Sequence, residues 1–226
     1  MMNEDVILLH GLGRSSRSLL LMQTALERAG YTVHNASYPS RDFRIEELVV
    51  RTVPARFAAC SGKKVHFVTH SMGGILVRAW LAETQPERLG RIVMLAPPNK
   101  GTAVVDAFEG LKAFGWFTGK AGLQLGTTKD SLPFALPGMT AETGIIAGSS
   151  SWNPIGHAVL TEAHDGTVSV ESTKVEGMKD HIILPVGHSF MMNNPLVMAQ
   201  VMAFLQRGHF DRGLTLPEAI KRIAGL

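Results

Sequence analysis

The chain has 226 residues, 45% of them hydrophobic, and a formal net charge of +3, enough for one α/β domain with a sizeable core. A single cysteine, Cys60, excludes a disulfide framework within the chain. Arg41, Arg44, Arg51, Arg56, Lys63 and Lys64 form the densest basic region, but no block of like charge, which argues against nucleic acid as a partner. No apolar run reaches the length of a membrane span and no signal-like n-region and h-region precede Val6. The expected setting is cytoplasmic.

Val6 to Leu9 is a short apolar run that ends in His10-Gly11-Leu12-Gly13. Ser15 or Ser16 can then cap a helix with Leu19, Met22, Leu26 and Ala29 on one face, stopped by Gly30. Tyr31 to Ser37 reads as a strand broken by Pro39, and Arg44 to Ser61 as a helix with a kink or break near Val53, because Pro54 lies inside it. Next comes Val65 to Val68, a strand that ends abruptly at T-H-S-M-G-G. Met72, Ile75, Leu76, Ala79 and Trp80 follow at helical spacing to about Thr84.

A strand turning directly into a helix around a serine is a nucleophile elbow, and the serine is Ser71. The helix N-terminus behind it favours negative charge beside that hydroxyl. Small residues are wanted two before and two after the serine; Gly73 and Gly74 satisfy the second requirement, and Thr69 stands where glycine is usual. The plainer alternative is an ordinary strand-to-helix loop with a capping serine. In an elbow architecture the backbone N–H groups of Leu12, in the His10–Gly13 loop, and of Met72 are the expected oxyanion donors.

Arg91 to Leu95, Thr143 to Ala147 and Ile182 to Val186 are the later strands, and Pro195 to Gln206 the helix after the last. The alternation predicts an α/β fold: a mostly parallel twisted sheet with helices on both faces. Two stretches fall outside it. Residues 99–139 hold Phe108, Leu111, Phe114, Trp116 and Phe117 spaced by glycines, either a cap or lid insertion or a long packed connection. The tail, 209–226, carries the capping box Thr215-Leu216-Pro217-Glu218 and an apolar stripe of Leu216, Ala219, Ile220, Ile223 and Ala224, expected to dock on the body. Residues 1–226 are expected to form one domain.

H-G-L-G, T-H-S-M-G-G, H-D-G-T-V-S-V-E-S from His164 to Ser172 and V-G-H-S-F from Val186 to Phe190 together resemble the α/β-hydrolase superfamily, in particular its small bacterial lipase/esterase-like members, from about Asp5 to about Phe210. The resemblance implies a Ser-acid-His chain order. Asp165, made tight by Gly166, fits the acid. His188, after the last strand, fits the base. His10 is expected to shape its loop, His66 to be packed or at the surface, His70 to point away from Ser71, and His157, His164 and His181 to lie outside the site. Asp106, Asp130 and Asp180 read as solvated carboxylates.

The implied activity is carboxylic ester hydrolysis on a small-molecule ester or acyl substrate. The alternatives are a thioesterase or acyltransferase using the same three residues, or a hydrolase-like binding protein without catalysis. Trp116, Phe117, Met191 and Met192 are candidates for an apolar pocket wall between Ser71 and residues 99–139, or plain core. Transient contact with a lipid surface is compatible with such a substrate. The chain carries no H-E-x-x-H, C-x-x-C or phosphate-loop motif, so neither metal nor cofactor is expected.

Overall fold

The structure, a computed structural model, describes residues 3–108 and 118–226. Six strands, β1 (Glu4–Leu9), β2 (Thr32–Asn35), β3 (Lys64–His70), β4 (Leu89–Leu95), β5 (Thr143–Gly148) and β6 (Asp180–Leu184), form one sheet in the order β2-β1-β3-β4-β5-β6. Every pairing is parallel, which goes further than the mostly parallel sheet expected. The central strands are near-continuous apolar runs buried on both faces. The edge strands β2 and β6 are more polar and partly exposed.

Side-chain alternation divides the core. Val6, Leu8, Val68, Val93, Leu95 and Ile146 face α1 (Leu20–Arg28) and α6 (Pro195–Arg207), while Ile7, Leu9, Phe67, Ile92, Met94 and Ile145 face α2 (Ile45–Ala59) and α3 (Met72–Glu83). Each fully buried aliphatic or aromatic side chain contributes roughly 1.5–3 kcal/mol of transfer free energy. That outweighs the ~1 kcal/mol per glycine that Gly73 and Gly74 cost α3, since Ile75, Leu76 and Val77 directly after them are fully buried.

Three boundaries differ from expectation for identifiable reasons. A short 3-10 turn, Ser16–Leu19, precedes α1, and the Ser15 side chain caps nothing; its carbonyl instead accepts from the Ser18 N–H and hydroxyl. Helix α2 runs unbroken through Pro54. The carbonyl that loses its partner there belongs to Val50, which is 75% exposed and open to water, while buried Leu48, Val49, Thr52 and Val53 hold the helix to the sheet. Strand β6 ends at Leu184, because Pro185 has no N–H for the ladder and the Val186 N–H turns back onto the Leu184 carbonyl at 2.8 Å.

Residues 99–139 are described on both sides of 109–117. They contain α4 (Ala103–Phe108), helical residues 118–122 and a turn at Leu132–Ala135. Val105, Ala121, Leu125 and Met139 are buried in the α2–α3 side of the core. Both ends are gathered by Arg78 of α3, which is buried and donates to the carbonyls of Asn99 (2.9 Å), Leu136 (2.6 Å) and Pro137 (2.9 Å). Beyond α5 (Pro154–Val159) and α6, the tail forms α7 (Leu216–Ala224), closed by the expected capping box. Ala219 is buried and Ile223 packs on the core, but Leu216 and Ile220 are half exposed, so only part of the stripe docks.

Candidate active site

Ser71 stands between β3 and α3 with φ 53° and ψ −123°, a conformation costing about 1–3 kcal/mol in a non-glycine residue. The surroundings hold it there. A side chain on Gly73 would place a Cβ 2.6 Å from the Leu9 carbonyl oxygen, and one on Gly74 a Cβ 3.1 Å from Pro97 and 3.3 Å from the Thr69 hydroxyl. Close approach of the backbone dictates Gly73, and at Gly74 a Cβ would fit only if its neighbours gave way by a few tenths of an ångström. Thr69 is accommodated because Gly74 leaves room for its hydroxyl.

The loop after β1 lies against this turn: a Cβ on Gly11 would come within 2.8 Å of His70 Nδ1 and 3.2 Å of Ser71 Cβ. His10 shapes the loop, as expected. Its Nδ1–H donates to the Gly11 carbonyl (2.9 Å), its Nε2 accepts from the Tyr38 N–H (3.1 Å), and its ring stacks on that of Tyr38. The Tyr38 hydroxyl donates to the His10 carbonyl. Among the described residues no hydrogen bond engages the N–H of Leu12 or of Met72.

From the far end of the sheet come Asp165 and His188. Gly166 (φ 99°) turns the chain so that one oxygen of Asp165 accepts from the N–H groups of Thr167 (2.9 Å) and Val168 (2.8 Å). The other oxygen meets His188 Nδ1 at 2.7 Å, and His188 Nε2 lies 3.1 Å from the Ser71 hydroxyl. The carboxylate can only accept, so the proton sits on Nδ1 and the Nε2 lone pair faces the serine O–H. The His188 N–H also donates to the Asp165 carbonyl at 3.0 Å. All three residues are buried. The structure thus brings together three residues far apart in the chain.

A family model for the alpha/beta hydrolase family matches residues 6–201. The chain is a member of the alpha/beta hydrolase family. The fold is shared with the mature form of Bacillus licheniformis lipase BlEst2 (TM-score 0.70, 18% identity, 89% of this chain and 91% of that one). It is shared as well with phospholipase PlaB from Legionella pneumophila (TM-score 0.69, 17% identity, 99% of this chain and 61% of that one), and with a pyrethroid hydrolase from Sphingobium faniae JZ-2 (TM-score 0.58, 14% identity, 90% and 98%). No curated protein sequence matches significantly.

Within this alpha/beta hydrolase, His70 departs from expectation. Rather than pointing away, its Nε2–H donates to the His188 carbonyl at 3.0 Å, and its ring centroid lies 4.8 Å from that of His188. Burial, then repulsion from a charged His188, holds the His70 pKa well below 6.5, so it is a neutral, fixed donor to the His188 backbone. Strand alternation carries the signal: His70 shares a face with Val68, the face toward α6 and the chain before it.

Four other histidines are engaged elsewhere. His66 is buried between Glu4 and the Arg91 N–H, His157 meets the Ser151 carbonyl, His164 accepts from the Gly166 N–H, and His181 pairs with the Thr173 hydroxyl. Asp106 binds the N–H and hydroxyl of Thr127. Asp180 is not a solvated carboxylate: it is 12% exposed, pairs with Arg212 at 2.6 Å and accepts from the Phe210 N–H.

The pocket-wall candidates separate. Met192 is fully buried in the core with Leu8, Leu19 and Met22, so its role is packing. Met191 is 1% exposed and lines a cleft of about 410 Å³ with Trp152, Asn153, Asp165, Gly187, His188 and Phe190. This cleft flanks the Asp165–His188 pair rather than lying between Ser71 and residues 99–139. Trp116 and Phe117 lie outside the described residues.

The buried rings make stability depend on pH. Desolvation lowers the pKa of His10, His66, His70 and His181 from 6.5. A histidine with a depressed folded pKa stabilises the protein fully above its unfolded pKa, and that stability is lost as pH falls below it. The melting temperature should drop steadily between about pH 6.5 and pH 5. Asp180 and Asp211, whose pKa values are lowered, lose their contribution only at lower pH. A flat melting temperature across that window, measured by calorimetry, would mean these rings take up protons without cost.

Proposed function

We propose that this alpha/beta hydrolase cleaves carboxylic esters through an acyl-enzyme, with Ser71 as nucleophile at an elbow. The observation that carries the reading is the contact of His188 with both Ser71 and Asp165, across sequence separations of 117 and 23. A serine hydroxyl becomes an effective nucleophile only when a positioned base takes its proton. His188 Nε2 is at that distance, and Asp165 fixes the tautomer that leaves Nε2 basic.

In the reaction, Ser71 Oγ attacks the ester carbonyl carbon as its proton passes to His188 Nε2. The oxygen that becomes negative is stabilised by the N–H groups of Leu12 and Met72, the latter at the positive end of α3. The tetrahedral adduct collapses, His188 returns the proton to the departing alcohol, and an acyl-Ser71 ester remains. Water, deprotonated by His188, then repeats the sequence and releases the acid. The substrate is a small molecule with an uncharged acyl group.

A fluorophosphonate, which phosphonylates only an activated serine, tests this directly. Mass spectrometry of the labelled chain should place one adduct on Ser71, and prior acid denaturation should prevent it. An unlabelled Ser71 would sink the proposal and leave a non-catalytic binding protein. Esters and thioesters presented side by side would then separate an esterase from a thioesterase.

A further inference from the structure

At the opposite end of the sheet from Ser71, parallel pairing sets Ile7 against His34. Asp5, two residues before Ile7, therefore projects from the same face as His34. That face is covered by α2, and Cys60 caps its C-terminus. A carboxylate oxygen of Asp5, a ring nitrogen of His34 and the sulfur of Cys60 all lie within 4.8 Å of one another, and the His34 Nε2 to Asp5 Oδ1 distance is 3.4 Å.

Asp5 and Cys60 are buried. Asp5 Oδ2 accepts from the Gly62 N–H at 2.6 Å, which fixes the carboxylate and leaves Oδ1 toward His34. His34 Nε2 is buried and makes no hydrogen bond, with Asp5 Oδ1 at 3.4 Å. The Cys60 thiol donates to the Arg56 carbonyl at 3.3 Å, a bond that it gives up when the sulfur takes a metal. Arg88 has its Nη1 occupied by the carbonyls of Cys60 and Gly62.

We propose that Asp5, His34 and Cys60 form a binding site for a divalent zinc ion. Thiolate, imidazole and carboxylate together are the donor set of zinc, with bonds of about 2.0–2.3 Å in a tetrahedron. Such bonds put ligand atoms about 3.5 Å apart, so the trio closes by roughly 1 Å on binding. On coordination the Cys60 sulfur exchanges its proton, released to solvent, for the metal bond, and His34 donates its Nε2 lone pair. Thiolate and carboxylate balance the charge of the ion. The His34 side chain is 32% exposed, so an ion reaches the buried donors along its ring. The ion ties edge strand β2 to β1 and to the end of α2.

The test uses Co²⁺ as a probe on the chelator-stripped full chain, because a cobalt–thiolate bond has a strong near-ultraviolet charge-transfer band. The band should saturate at one Co²⁺ per chain, collapse on adding Zn²⁺ and be absent from Cys60→Ala. Zn²⁺ should raise the melting temperature of the parent by several degrees, with no rise in Cys60→Ala or in His34→Ala, whose partly exposed position tolerates truncation. Absence of the band from the parent, a band of equal strength in Cys60→Ala, or an equal zinc-induced rise in His34→Ala would each overturn the site. None of these readouts depends on ester hydrolysis.

Discussion

Ser71→Ala is expected to lower the turnover number for a p-nitrophenyl ester by a factor on the order of 10⁶, with folding intact. The alanine keeps the backbone conformation at φ 53° and removes only the hydroxyl that His188 contacts at 3.1 Å. Asp165→Asn should lower it by roughly 10⁴ through another route. An amide facing His188 Nδ1 can donate, which drives the ring proton to Nε2 and leaves nothing to accept from the serine. Because the three groups act as a unit, the double variant should be no slower than Ser71→Ala. Stopped assays on purified variants with matched circular dichroism would decide it. A Ser71→Ala enzyme within tenfold of the parent would remove Ser71 from the chemistry.

Arg78→Leu is expected to give the largest loss of stability. Arg78 donates to the carbonyls of Asn99, Leu136 and Pro137 from a buried position, and no carboxylate pairs with it in the salt bridges among the described residues. Burial pushes its pKa down to about 10, so the charge itself is a cost. Each carbonyl left without a donor costs roughly 1–3 kcal/mol. Relief of the buried charge offsets part of that, for a net of about 3–5 kcal/mol. In a chain of this size that is roughly 10 °C of melting temperature. Arg78→Lys should recover only part of it, because an ammonium lacks the planar fork that reaches three acceptors. A leucine variant melting within about 2 °C of the parent would show that these carbonyls are satisfied by water.

What could be read from the sequence follows from what local pattern encodes. The meeting of Ser71, Asp165 and His188 was legible because Ser71 and His188 lie just past strand ends, Asp165 lies on the long loop after β5, and a glycine stands within two residues of each. The alternation of strands and helices sufficed for the sheet and for the faces its side chains take. His70 was misjudged because the neighbouring serine drew the inference, although period-two alternation from Val68 points it toward the His188 loop. Met192 could not be told from a pocket wall, since an apolar residue after a strand reads the same whether it lines a cavity or fills the core. The Asp5–His34–Cys60 cluster has no motif at all: strand register brings two of its members together and a helix end delivers the third. Pro54 misled because the cost of a missing helix hydrogen bond depends on which side meets water.

The strand order sets a timetable for assembly. β1 is interior, flanked by β2 and β3, so its pairing is complete only once Lys64–His70 has arrived on its other side. Until then a strand of four consecutive buried apolar residues, Val6 to Leu9, has one bare edge. Parallel pairings over such sequence distances close slowly. During the interval between synthesis of β1 and of β3 that edge is open to pairing with another chain.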